Sequence, residues 1–183
     1  MDAIKIEEYT VDDIMALPEG QRAELINGRW YDMASPSGFH QEIVAAVLRE
    51  LSSFIRSKGG ACKVLPAPYA VFLNKDKHNY LEPDVTVICD PEKMEEDGCH
   101  GAPDLVVEVT SPSTKSRDYG LKLFKYRNAG VREYWIINPD TRVINSYVFS
   151  ENEEEETGSQ ITFDEELTSG IFDGFGIVLS EVL

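Results

Sequence analysis

Hydrophobic and polar positions along the chain change period several times, and each change marks an element. A short amphipathic stretch begins at Thr10, carries Asp12 and Asp13 in its first turn and ends near Pro18, so it predicts a brief capped helix. The segments AELI and RWYDM flank Asn27-Gly28, the pair that most readily supplies two positive φ angles, and predict a β-hairpin. Beyond Ser35-Pro36-Ser37-Gly38, the residues Ile43, Val44, Val47, Leu48, Leu51 and Ile55 recur at helical spacing until Gly59-Gly60. Three extended segments follow, CKVLPAPYAVFL, LEPDVTVIC and PDLVVEVT, rich in β-branched residues and suited to a three-stranded meander.

A second helix is predicted from about Thr114 to Ala129, with Gly130 as its stop and Tyr119, Leu123 and Tyr126 as its buried stripe. EYWIIN then reads as a buried strand closed at Pro139-Asp140, which gives a core order of αβββαβ. RVINSYVF, QITF and the glycine-punctuated IFDGFGIVLSEVL predict further short strands and a terminal helical turn. The fold class is therefore α/β in the α+β sense: a mixed central sheet, an N-terminal hairpin and extra C-terminal strands. The 183 residues read as one domain over 1–183, with a core over about 24–139 and C-terminal strands with an acidic loop over 140–183.

Charge complicates the picture before it helps. Seventeen basic and 33 acidic residues give a formal net charge of -16, which opposes binding to nucleic acid by bulk attraction. Glu151, Glu153, Glu154, Glu155 and Glu156 concentrate part of that excess, most simply in a solvated loop. Between Ser113 and Arg132 the balance reverses, with six cations against Asp118 alone. No stretch approaches the roughly 18 uninterrupted apolar residues of a membrane span, and no leader pattern opens the chain. Cys62, Cys89 and Cys99 are scattered and odd in number, so reduced thiols in a cytoplasmic protein are expected.

Two acidic positions carry the candidate chemistry. Strand alternation in Leu81–Cys89 puts Asp84 on one face with Thr86 and Ile88, at the mouth of an apolar strand. Glu108 interrupts the apolar strand of Pro103–Thr110, where an unpaired carboxylate is costly to desolvate. If the two strands are neighbours, both acids face one side, and a divalent cation satisfies them. On the second helix Lys122 borders the buried stripe beside Tyr126, whereas Lys125 lies about 60° further round, toward solvent. The aromatic residues Tyr119, Phe124, Tyr126, Tyr134 and Trp135 are assigned to packing, and Cys99-His100 to a loop, because its spacing does not fit a zinc site.

The Asp84 and Glu108 segments, in their αβββαβ order, resemble the PD-(D/E)XK nuclease superfamily. SPSTKSRDYGLKLFKYRNAGVREYWIINP, AELINGRWYDMASPSGFHQ and EPDVTVI together resemble the bacterial Uma-two family of restriction-endonuclease-like proteins, over about Glu24 to Pro139. The departure lies at the lysine. Thr110 stands where the superfamily pattern expects it, two residues after the strand acid, and resemblance to members whose lysine has moved to the following helix points to Lys122. The same resemblance brings in Glu24 as an additional acid and His40 as a polar neighbour.

It implies a Mg²⁺- or Mn²⁺-dependent endonuclease acting on DNA, with Asp84 and Glu108 as metal ligands, catalytic roles for Lys122, Glu24 and His40, and Arg117, Lys125 and Arg127 as phosphate contacts. A homodimer formed through the late strands is a further expectation. The charge of -16 and the displaced lysine motivate the rival reading, a catalytically inactive nuclease-fold module for nucleic-acid or protein binding.

Overall fold

The computed structural model describes residues 8–74, 76–150, 152 and 155–183. Helix α1 (Val11–Met15) opens it, with a capping box formed by Thr10 and Asp13, and packs Ile14 inward. The hairpin β1 (Ala23–Ile26) and β2 (Arg29–Asp32) turns through Asn27 at φ 54° and Gly28 at φ 69°. Helix α2 (Gly38–Ser57) starts at Ser37, whose hydroxyl accepts the His40 amide.

The segment expected as one strand from Cys62 is two. β3 (Lys63–Pro66) and β4 (Val71–Phe72) are separated at Ala67-Pro68, and β4 leaves the main sheet to pair in parallel with β6 (Cys99–His100), which was expected to be loop. Proline has no N–H to continue a ladder, so a break at Pro66 and Pro68 follows from the chain itself.

The main sheet is completed by β5 (Val85–Ile88), β7 (Leu105–Val109), β8 (Glu133–Asn138), β9 (Val143–Val148) and β10 (Thr157–Thr162), in the order β10-β9-β8-β7-β5-β3. It is mixed: β7 and β8 run parallel and every other neighbour is antiparallel. The expected meander is its β3-β5-β7 half. Between β7 and β8 the chain forms one helical run in three parts, α3 (Lys115–Arg117), a π-helical turn (Asp118–Lys122) and α4 (Leu123–Ala129), ended by Gly130 at φ 92°. A small hairpin, β11 (Glu166–Thr168) and β12 (Gly176–Val178), and a terminal turn α5 (Leu179–Val182) close the chain.

Two apolar layers cover the sheet. Ile43, Val47 and Leu51 of α2, with Phe163, Phe175 and Ile177 from the C-terminal segment, pack on the face made by Val85, Val87, Val107 and Trp135. Tyr126 of α4, with Ile26 and Leu81, packs on the opposite face with Ile88, Val106, Tyr134 and Ile136. By alternation Glu108 belongs to this second face, where its neighbours Val106 and Ile136 are fully buried.

Glu133 is also fully buried, but for a structural reason. It accepts hydrogen bonds from Trp135 Nε1 at 2.7 Å, Ser169 Oγ at 2.6 Å and the amides of Gly170 and Ile171, fastening the loop after β11 to β8.

Two expectations are corrected. Cys62 and Cys89 are joined in a disulfide, not held as thiols, while Cys99 is buried and takes no part in that disulfide. They adjoin the antiparallel pair Lys63↔Ile88, so the next register step brings them face to face, and residue spacing along the chain could not reveal that. Of the acidic segment, Glu151, Glu153 and Glu154 lie outside the described residues, while Glu156 is not simply solvated but pairs with Arg127 at 2.8 Å. Among the described residues no helix is long and apolar enough to cross a membrane.

Candidate active site

The register of β5 and β7 builds the site. Val85 opposes Val107 and Thr86 opposes Val106, so one step further along the same antiparallel ladder sets Asp84 opposite Glu108. Asp84 Oδ2 accepts the Val109 amide at 2.7 Å, which fixes the carboxylate at the end of the strand. From the start of α2, His40 Nε2 approaches the same oxygen to 3.3 Å. Burial favours the neutral imidazole, but the carboxylate of Asp84 outweighs it and raises the pKa of His40 above the ordinary value.

Lys122 is only 3% exposed and points into a cluster of acids. Its ammonium lies 2.8 Å from Glu108 Oε1, 2.9 Å from Glu24 Oε1 and 3.7 Å from Asp118 Oδ1. Tyr126 donates its hydroxyl to the same Glu108 oxygen at 2.8 Å. Burial alone would drive the ammonium toward neutrality, yet Glu108, Glu24 and Asp118 more than reverse this and hold its pKa above the ordinary lysine value. At Glu108 burial wins instead. Burial lifts its carboxyl well above the usual range against the pull of Lys122, and Asp118, Glu24 and Asp84 add to the rise. Asp118 is raised chiefly by burial as well.

Of the expected apolar stripe of the second helix, Tyr126 alone is fully buried. Asp118, Lys122 and Tyr126 are its buried residues, while Tyr119 and Leu123 are half-buried and Phe124 is 62% exposed. The innermost line is polar because each of its members finds a partner in the cluster. The π turn spans Asp118 to Lys122 themselves, a local distortion of the kind that recurs at functional sites.

These groups open into one cavity of about 440 Å³, lined by Asp84, Glu108, Lys122, Glu24, His40 and Arg117 together with Arg22, Glu82 and Asp118. Among the described residues, seven carboxylates and three cations line it. Arg22 binds Glu82, whose other oxygen accepts the Tyr80 hydroxyl at 2.9 Å. Arg117 approaches Glu24 Oε2 to 3.6 Å and stacks over Tyr31.

The donor set suits a hard divalent cation. Among the described residues, the hydrogen bonds to Asp84 and Glu108 fall on one oxygen of each carboxylate, and the buried oxygens Glu24 Oε2 and Asp118 Oδ1 have no hydrogen-bond partner. Oxygen-only ligands and excess negative charge match Mg²⁺ or Mn²⁺ and not a thiolate-seeking ion.

Residues 7–179 match the family Uma2, described as "Putative restriction endonuclease". The chain belongs to this family. It is similar to the "Uncharacterized protein slr1290" of Synechocystis sp., 29% identical over 128 residues, 69% of this chain and 66% of that protein, so the chain spans just under two thirds of that relative. The fold is shared with the crystal structure of "a putative nuclease belonging to DUF820" from Anabaena variabilis, at a TM-score of 0.76 and 18% identity over 95% of this chain and 99% of that one.

Within this Uma2 fold, Asp84, Glu108, Lys122, Glu24, His40 and Arg117 converge. Lys125 and Arg127 are not among the lining residues: Lys125 is half-buried on the helix, and Arg127 holds Glu156. Asp118, Glu82 and Arg22 in the lining, and Tyr126 behind Glu108, join the site in addition to the sequence-predicted residues. Asp118 carried a readable signal, since it precedes Lys122 by four residues and therefore shares its helix face. Glu95, Asp97 and His100 form a separate exposed group with ligand atoms within 4.8 Å of one another, but His100 is bonded to Asp97 at 2.9 Å and stacked on Phe72. Exposed acidic groups of this kind are common without an ion.

Proposed function

We propose that this Uma2 chain is a divalent-metal-dependent endonuclease that hydrolyses phosphodiester bonds in DNA. The observation that carries the reading is the fully buried ammonium of Lys122, shared between Glu108 and Glu24 beside the Asp84–Glu108 pair. Few structural needs put a lysine and four acids beneath the surface of so small a fold, because each isolated charge is costly to bury.

Asp84 and Glu108 would hold Mg²⁺ or Mn²⁺, with Glu24 and Asp118 supplying further negative charge. When bound, such an ion polarises a phosphate oxygen and lowers the pKa of water. The chain's own groups account for the rest. The Val109 amide and His40 orient Asp84. Lys122 retains its proton, so it serves as a donor and positive charge for a phosphate oxygen and not as a base. Arg117, which lines the cavity, would receive an adjacent phosphate.

The test is cleavage of labelled DNA by the purified chain with Mg²⁺, Mn²⁺ or EDTA, alongside folded Asp84→Asn and Lys122→Met variants. Metal-dependent cleavage lost in both variants supports the proposal. Metal binding and DNA binding without cleavage in any metal would favour the inactive module instead.

A further inference from the structure

Resting on that nuclease reading, we infer that the substrate is a single-stranded or unpaired DNA segment, and that intact duplex is a poor substrate. The reactive groups are sunk. Glu24 and Asp118 are each 1% exposed, Lys122 3% and Glu108 5%, at the floor of the cavity. Its volume of about 440 Å³ lies within the roughly 300–1,000 Å³ range of small-ligand pockets, the scale of one phosphate with its nucleoside.

The rim is built from chain that stands above those groups. Ser35-Pro36-Ser37 before α2 and Pro112-Ser113 after β7, with Pro66 and Asp140, line the cavity and are exposed, so they form its mouth. A phosphate must descend past them to reach Lys122. Duplex DNA is stiff over about 150 base pairs, and its phosphates are held on a convex surface between stacked neighbours. A single strand bends freely and can lower one phosphate while its bases splay away.

Charge points the same way. Each cation that lines the cavity already faces a carboxylate: Arg22 with Glu82, Arg117 with Glu24, and Lys122 with Glu24 and Glu108. Asp32 and Asp140 add negative charge to the lining. Enzymes that grip long duplex spread many cations along the backbone, whereas these three are clustered at one cavity in a chain of net charge -16. The lining therefore has capacity for one or two phosphates and no track for a helix.

The experiment uses the full chain with Mn²⁺ and three substrates of one sequence: a single strand, the blunt duplex, and the duplex with an unpaired tail. The strand and the tail should be cut at least roughly tenfold faster than the duplex, whose bases must first be unpaired. In Ca²⁺, fluorescence anisotropy should rank binding in the same order, with a log-affinity slope against log salt near about -1.4 for two phosphates of a single strand. Blunt duplex cut or bound as well as the strand would overturn this inference alone. No cleavage of any substrate in any metal would overturn the nuclease reading and this inference with it.

Discussion

Asp84 stands opposite Glu108 because β5 and β7 are antiparallel neighbours in a register that pairs Val85 with Val107. Two acids 24 positions apart in the chain thus meet one step past the ladder, at the end of the sheet where a cavity can open. This pairing is the geometric basis of the proposed metal site.

Glu108→Gln keeps the volume of the side chain and its contact with Tyr126 but removes the charge. Cleavage should fall by at least about 100-fold and Mn²⁺ affinity by at least about tenfold, as expected when a hard-oxygen ligand is lost. Calorimetric titration with Mn²⁺ and single-turnover cleavage check both, and circular dichroism confirms that the variant is folded.

Lys122→Met separates binding from catalysis. Lys122 competes with any cation for Glu108 Oε1, so its removal should tighten Mn²⁺ binding while cleavage is lost. Without metal the variant leaves Glu24, Glu108 and Asp118 buried with no ammonium among them, and unfolding by urea should show a loss of about 3–5 kcal/mol. Added Mn²⁺ should restore much of that stability. Weaker Mn²⁺ binding in the variant would contradict this picture.

Stability should fall above pH 10 through Tyr134. Burial raises the pKa of its phenol well above the ordinary value, with Glu108 and Asp118 adding to the rise. The folded state therefore keeps the proton that the unfolded chain releases as pH passes the ordinary value of about 10, so stability declines from there upward. Tyr134→Phe, which loses the bond to the Asp118 carbonyl at 3.2 Å, should cost about 1 kcal/mol at pH 8. Its stability should decline less steeply than that of the wild type in urea titrations above pH 10.

Glu133→Ala tests the buried carboxylate outside the site. It strands the buried Trp135 indole N–H, at about 1–3 kcal/mol, and removes hydrogen bonds from the more exposed Ser169, Gly170 and Ile171, at about 1 kcal/mol each. A loss of at least about 3 kcal/mol in urea unfolding is expected, with Mn²⁺ affinity at the Asp84–Glu108 site unchanged in the folded fraction.

Local patterns made most of the fold legible. Asn27-Gly28 marked the hairpin turn, the helical spacing from Ile43 to Ile55 marked α2, and alternation set Asp84 and Glu108 on one face. The misreadings share a cause. Apolar periodicity drew the second helix inward through Tyr119 and Leu123, yet its core line is Asp118, Lys122 and Tyr126, because buried charges satisfy one another only once strand and helix are assembled. The Cys62–Cys89 bond likewise depends on strand register, and the pairing of Arg127 with Glu156 on the return of the chain along β9 and β10. Glu82 and Arg22 joined the site through a contact between residues 60 positions apart, which no local pattern encodes.

The most direct test of the account is an anomalous difference map from crystals of this chain grown in Mn²⁺. The account predicts a peak between the Asp84 and Glu108 carboxylates, with Lys122 beside it. A Mn²⁺-saturated crystal with no ion there, or with its ion at Glu95, Asp97 and His100 instead, would contradict it.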